Sequence, residues 1–174
     1  MNQNDRNALD RHITGNYGEN QFAPRRCASR ITAVRYHDIS CGHRVYGHES
    51  KCAHAHGHNY RVTFTVEADG LDDVGRVLDF SVIKTKLCMW LEDTWDHKFL
   101  LWWKDPRKDA LRELDPQGIV LCHFNPTAEN MATYLLETVG PLMLVDTGCT
   151  LIHVVVEETR KCSATAELER IVNE

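Results

Sequence analysis

Residues 56–68, HGHNYRVTFTVEA, constrain the chain more than any other stretch. Tyr60, Val62, Phe64 and Val66 alternate with Arg61, Thr63, Thr65 and Glu67, which is the period-two pattern of a strand with one buried and one polar face. A second β-prone run, ITAVRYHDIS, begins at Ile31, and a third, TLIHVVVEET, carries a β-branched series that ends in Glu157 and Glu158. Between them lie two helical segments. The turn-like DGLDDVG leads to Asp79 as the N-cap of a helix from about Phe80 to Thr94, with Ile83, Leu87, Trp90 and Leu91 as its apolar stripe. NPTAENMATYLLETVG predicts a second helix capped by Thr127, with Met131, Tyr134 and Leu135 inward and Gly140 closing it before Pro141. The order strand, strand, helix, helix, strand predicts an α+β fold, an antiparallel four-stranded sheet with two helices on one face. The remaining strand is expected near Ile119–Cys122 or near Leu142 to Val145. The charged stretch KDPRKDALRELDPQG, bracketed by prolines, reads as a short helix in an exposed insertion.

With 174 residues the chain has room for one domain with a real core and not for two. Residues 29–174 are expected to form it. Residues 1–28 are polar, lack periodicity, and read as a flexible N-terminal extension. A net charge of -5 argues against nucleic-acid binding through phosphate contacts, which needs clustered positive charge. There is no apolar run long enough to span a bilayer and no signal-peptide pattern at the start, so the expectation is a cytoplasmic protein without membrane contact. Seven scattered cysteines suit reduced thiols better than a disulfide framework.

Ten histidines are the anomaly, because His43, His48, His54, His56 and His58 fall within one sixteen-residue stretch. The i, i+2 spacing of His56 and His58 at the start of a strand puts both imidazoles on one face. His43, in CGHRV at the end of the preceding strand, is placed to pair back alongside them. Three neutral imidazoles leave a fourth position free on Zn2+, the arrangement of a catalytic site, although imidazole also suits iron, nickel or copper. His48 and His54 compete as ligands, and an isolated HxH pair is a weak signal that also occurs on solvated surfaces.

Cys52, four residues before His56, would hold a thiol near a substrate at the metal, or else serve as a fourth ligand of a closed structural site. Asp96 and His97 are adjacent, the material of an oriented acid-base pair, although neighbouring side chains seldom meet in a strand. Glu158 shares the parity of Val154 and Val156, and a carboxylate there could accept two parallel N–H bonds from a guanine-like ring edge; otherwise it is a solvated strand end. Arg44 and Lys51 lie near enough in sequence to be phosphate contacts.

Taken in order, Cys52-x-x-x-His56-Gly57-His58-Asn59-Tyr60, LDF at 78–80, WDH at 95–97, PTAEN at 126–130 and VEET at 156–159 resemble the 6-pyruvoyltetrahydropterin synthase superfamily from about Arg30 to Ala164. The three-residue gap between Cys52 and His56 is similar to that of its bacterial 6-carboxytetrahydropterin synthases. The resemblance implies a tunnelling fold whose sheets join into a barrel by oligomerisation, usually a homo-hexamer with active sites between subunits. It assigns His43, His56 and His58 to zinc, Cys52 to proton transfer, and Asp96 and His97 to a relay with it. Glu158 would anchor the pterin, with Thr127 and, less directly, Glu129. The implied reaction converts 7,8-dihydroneopterin triphosphate to 6-carboxy-5,6,7,8-tetrahydropterin, releasing acetaldehyde and triphosphate, in 7-deazaguanine (queuosine) biosynthesis. The alternatives are 6-pyruvoyltetrahydropterin synthesis, which stops before carbon-carbon cleavage, and a non-catalytic metal- or pterin-binding module. His54 and a long segment from Trp102 to Gln117 depart from compact members of that superfamily.

Overall fold

The computed structural model describes residues 30–169; the extension expected over residues 1–28 lies outside them. Strands β1 (Ala33–His43) and β2 (His56–Ala68) form an antiparallel pair in which Ile39 faces Tyr60, Cys41 faces His58 and His43 faces His56. Strand β5 (Cys149–Thr159) runs antiparallel to β2, and β6 (Cys162–Glu167) antiparallel to β5. This four-stranded antiparallel sheet is extended beyond β1 by two short strands, β3 (Phe99–Trp102) and β4 (Ile119–Cys122), which join in parallel. The result is a six-stranded mixed sheet in the order β4-β3-β1-β2-β5-β6. Of the two regions expected to supply the remaining strand, 119–122 is a strand but a parallel one, whereas residues 142–144 are helical. The fourth antiparallel strand is β6. Its sequence, CSATAE, has one buried apolar residue, Ala164, because it is the sheet's edge.

Helix α1 (residues 80–94) and helix α3 (residues 128–144) lie on one face of the sheet, while α2 (Lys108–Leu114) is the short charged helix of the 102–117 segment. Asp79 caps α1 by accepting from the Ser81 N–H, and Thr127 caps α3 by accepting from Asn130. Each long helix contains a π turn, Lys84–Cys88 in α1 and Leu135–Val139 in α3. In an unbroken α-helix, residues spaced by four overshoot a full turn by about 40° each time. The wider turn takes up the overshoot, which is why Ile83, Leu87, Leu91 and Trp95, each four residues after the last, are all buried. Gly140 does not end α3. It sits within the helix because a Cβ there would come within 2.7 Å of Leu151, and helix and strand touch at that point.

These stripes meet Val62, Phe64, Val66, Val154 and Val156 of the sheet in one apolar core. Fully burying a side chain of this size contributes about 1.5–3 kcal/mol. The other sheet face carries polar and half-exposed residues, with Val34 and Tyr36 50% and 56% exposed, and no element among those described covers it. The alternation of β2 therefore decides both where the core lies and which histidines face the helices.

Candidate active site

The cluster forms at the end of the sheet where β1 and β2 meet. Because His43 lies opposite His56, and His58 follows two residues later on the same face, the three rings converge with centroids 4.4, 5.0 and 5.3 Å apart. One ligand nitrogen from each lies within 4.8 Å of the other two, so together they could hold a metal ion. His43 Nδ1 is 2.7 Å from the Pro126 carbonyl and His56 Nδ1 is 2.8 Å from the His54 carbonyl. A carbonyl oxygen only accepts, so in both rings Nδ1 carries the proton and Nε2 is left as a lone-pair donor. Burial works against a charge on His43 and lowers its pKa, favouring the neutral imidazole that ligation needs. This donor set fits a divalent transition metal. His54 and His48 are not in the cluster. His54 contributes its backbone carbonyl instead, and His48 accepts from the Ser50 N–H through Nδ1.

Beside the cluster, Cys52, Thr127, Glu129 and Glu158 line a cavity of about 330 Å³ together with His48 and Cys162, a volume at the lower end of those that take small molecules. Cys52 sits in a 3₁₀ turn, Lys51–Ala53. Thr127 and Glu129 belong to the first turn of α3, and the Thr127 hydroxyl is engaged in its cap. Glu158 keeps the parity of the buried Val154 and Val156, and β6 pairs with Glu157 and with Thr159 but skips it. Its Oε1 accepts from the Tyr60 hydroxyl at 3.3 Å and lies 3.5 and 3.7 Å from Nε2 of His43 and His58. Tyr60 also reaches His43 Nε2 at 3.1 Å. Tyr60 is absent from the site residues that the motifs imply, although the alternation that turns it inward marks it. Nothing in the sequence near Cys162 pointed to the cavity.

Asp96 and His97 do touch each other, with His97 Nδ1 2.5 Å from the Asp96 carboxylate. They are not in a strand. His97 has φ 54, the left-handed region that few residues other than glycine adopt, and this bend brings two consecutive side chains together. The pair is held at the edge of β1, where Asp96 accepts from the Ser40 N–H and the His97 N–H bonds the Ser40 carbonyl. Burial disfavours the Asp96 carboxylate, yet the Ser40 N–H and His97 hold its pKa below the usual range. The pair opens on a different cavity, of about 520 Å³, lined by Asp38, Ser40, Asn59, Arg61 and Glu157. Within one chain it does not share a cavity with Cys52.

Arg44 is not placed to meet phosphate. Its side chain is 8% exposed and occupied by Asp105, whereas Lys51 is exposed. Of the other thiols, burial pushes those of Cys41 and Cys122 up to about 12, which leaves them protonated and inert.

A one-sided α+β sheet whose rim gathers three open imidazoles, a thiol and a carboxylate beside a small cavity defines a candidate metalloenzyme acting on a small molecule. The sequence profile of the family described as 6-pyruvoyl tetrahydropterin synthase matches residues 32–169. The 6-carboxy-5,6,7,8-tetrahydropterin synthase of Rickettsia typhi is 33% identical over 135 residues, covering 76% of this chain and 96% of its own length. A probable 6-carboxy-5,6,7,8-tetrahydropterin synthase of Halobacterium salinarum is 39% identical over 98 residues, 56% of this chain and 61% of that protein. Among solved structures, an uncharacterized protein of Wolinella succinogenes superposes with a TM-score of 0.71 at 22% identity, covering 82% of this chain and 100% of that one. The 6-pyruvoyl tetrahydropterin synthase of Caenorhabditis elegans superposes with a TM-score of 0.58 at 23% identity, covering 81% and 97%. The chain belongs to the 6-pyruvoyl tetrahydropterin synthase family, and its fold is the tunnelling fold that the sequence motifs implied.

Proposed function

We propose that this chain is a zinc-dependent 6-carboxytetrahydropterin synthase. It would convert 7,8-dihydroneopterin triphosphate to 6-carboxy-5,6,7,8-tetrahydropterin with release of acetaldehyde and triphosphate, as a cytoplasmic step of 7-deazaguanine biosynthesis. The observation that carries the reading is the cavity joining Cys52, Glu158 and Thr127 beside three histidines that each offer a ring nitrogen within 4.8 Å of the other two. The relatives named above, with their 6-carboxy product, support the choice of product.

His43, His56 and His58 would hold the zinc, which when bound supplies a Lewis acid for developing oxyanion charge. Glu158, fixed by Tyr60 and turned inward by the alternation of its strand, accepts the pterin's ring N–H and exocyclic amine side by side, and a site built this way rejects rings lacking those donors. Thr127 and Glu129 border the ring at the start of α3. Cys52 moves a proton between the substrate side chain and the ring. Triphosphate departs once the adjacent carbanion or enol has formed; a water then adds to the carbonyl carbon next to the ring, and cleavage of the following carbon-carbon bond leaves the carboxyl on the ring and frees the other two carbons, protonated, as acetaldehyde. Asp96 and His97, as an oriented pair, relay the proton.

Because Asp96 and His97 open on a cavity that shares no lining residue with that of Cys52, a complete site calls for a second copy of the chain. This supports a homo-oligomer, a hexamer in our reading, with sites between subunits. No described helix is long and apolar enough to cross a membrane. The test is anaerobic incubation of zinc-loaded protein with 7,8-dihydroneopterin triphosphate, following acetaldehyde and pterins by mass spectrometry beside Cys52→Ala and a metal-stripped sample. Acetaldehyde with 6-carboxytetrahydropterin, lost in both controls, is the expected result. Triphosphate release without acetaldehyde would replace it with pyruvoyl chemistry.

A further inference from the structure

Arg44 follows the ligand His43 directly and turns its guanidinium into the protein, where it is 8% exposed against an Asp105 side chain that is fully buried. One arm donates from Nη1 to Asp105 Oδ1 at 2.8 Å, and Nε donates to the Ala53 carbonyl at 3.0 Å. Asp105 is fixed in turn, because Oδ1 also accepts from the Arg107 N–H at 2.8 Å and its own N–H bonds the Trp102 carbonyl. Its Oδ2 is buried with no hydrogen-bond partner among the described residues. A buried ion pair with an unsatisfied oxygen is a poor stability device, since desolvation offsets most of the attraction and an apolar pair of similar size commonly does as well or better.

What the pair does achieve is geometric. Ala53 is the last residue of the 3₁₀ turn Lys51–Ala53, and the carbonyl before its own, that of Cys52 itself, accepts from the Val45 N–H at 2.8 Å. Two consecutive carbonyls at and after Cys52 are therefore held by two consecutive residues, Arg44 and Val45, that continue straight from a histidine of the cluster. We propose that Arg44 and Asp105 are positioning residues for Cys52: the buried pair locks the turn that carries the thiol to the strand end that carries His43. Asp105 comes from the 102–117 segment, so that segment has a role at the site although it lines no part of the Cys52 cavity. The inference rests on the reading of Cys52 as the proton-transfer group.

The test uses full-length, zinc-loaded protein carrying Arg44→Lys, Asp105→Asn or the apolar double substitution Arg44→Met with Asp105→Leu. Three quantities are read: kcat and KM, the thermal midpoint, and the rate at which iodoacetamide alkylates Cys52, followed on its own peptide by mass spectrometry. Arg44→Lys keeps the charge but replaces two donors fixed on separate nitrogens of a rigid plane by a single nitrogen on a flexible stem. It should lower kcat by up to about 10²-fold with KM nearly unchanged, the scale of a small misplacement of a reacting group, and alter the alkylation rate several-fold. Asp105→Asn should behave in the same way. The double variant should regain or exceed the wild-type midpoint while kcat and the alkylation rate stay displaced. Recovery of kcat together with the midpoint would make the pair structural only and overturn the proposal. Should the wild type not turn over 7,8-dihydroneopterin triphosphate, the proposed function fails, and the alkylation rate still decides: unchanged reactivity of Cys52 in all three variants refutes positioning, and changed reactivity supports it.

Discussion

Replacing Cys52 by Ala in one population of chains and His97 by Ala in another tests whether the site is shared between subunits. Strand alternation and the bend at His97 put the two groups on cavities with no common lining residue, so each chain would offer one half of a site to each of two neighbours. Each single variant should lose about 10²-fold or more of the wild-type rate, the usual contribution of a positioned acid or base. When the two are co-expressed or mixed after reversible dissociation, a site needs its thiol from a His97→Ala chain and its histidine from a Cys52→Ala chain. In a closed ring of equivalent interfaces assembled at random from equal amounts, each condition holds half the time, so about a quarter of the sites are intact. The assay is the rate of acetaldehyde release per site, measured across mixing ratios, with a maximum at equal amounts. Mixed assemblies no faster than their parents, although gel filtration and mass spectrometry show mixed oligomers, would refute the reasoning.

His56→Ala should reduce metal retention about 10²-fold or more while leaving the sheet intact, read as metal content after dialysis against a chelator. Glu158→Gln should lower kcat/KM by about 10–10²-fold by presenting an amide where a charged acceptor is needed, a loss of about 1.5–3 kcal/mol. Gly42→Ala should cost about 1–3 kcal/mol in urea unfolding, the scale of overpacking, because its Cβ would lie 2.4 Å from the Phe99 ring. Asp96, held below the ordinary carboxylate range by the Ser40 N–H and His97 against the cost of burial, adds stability that is fully present above the unfolded pKa of about 3.9 and is lost as pH falls through the lower folded value. The stability gap between wild type and Asp96→Asn should therefore narrow on acidification below about pH 4; a gap constant with pH would contradict this.

The parts of the fold that sequence revealed are those with a period. β2, α1 and the start of α3 declared themselves through alternation, stripes and the caps Asp79 and Thr127. β3 and β6 did not. FLLW has consecutive buried leucines, Leu100 and Leu101, instead of alternation, and CSATAE is an edge strand with almost nothing to bury. At the site, the i, i+2 spacing of His56 and His58 was legible because strand geometry alone converts it to a shared face. His43 joins them through the pairing of β1 with β2, which sets it opposite His56. Two things were beyond reach, since each depends on contacts distant in sequence: the left-handed bend that joins Asp96 to His97 and is held on Ser40, and the burial of Arg44 on Asp105. A guanidinium beside a presumed substrate site invites a surface role until its partner, 61 residues away, is seen.

The π turns at Lys84–Cys88 and Leu135–Val139 bear on how this chain tolerates changes in length. Each helix carries one residue more than an unbroken α-helix would need to reach the same end point, and the surplus is stored where the turn widens. Deleting a single residue there would let the backbone close into ordinary helix, so the lesion would be hard to detect by circular dichroism. It would also leave everything downstream close to its present phase, whereas the same deletion in a regular stretch of the helix would rotate it by about 100°. In the first helix, the downstream cargo is Trp95, Asp96 and His97. A one-residue gap at this point in a relative should thus leave the apolar stripe and the acid-base pair unchanged, while a gap elsewhere in the helix should not, and the seam acts as a phase-absorbing joint between the scaffold and the chemistry.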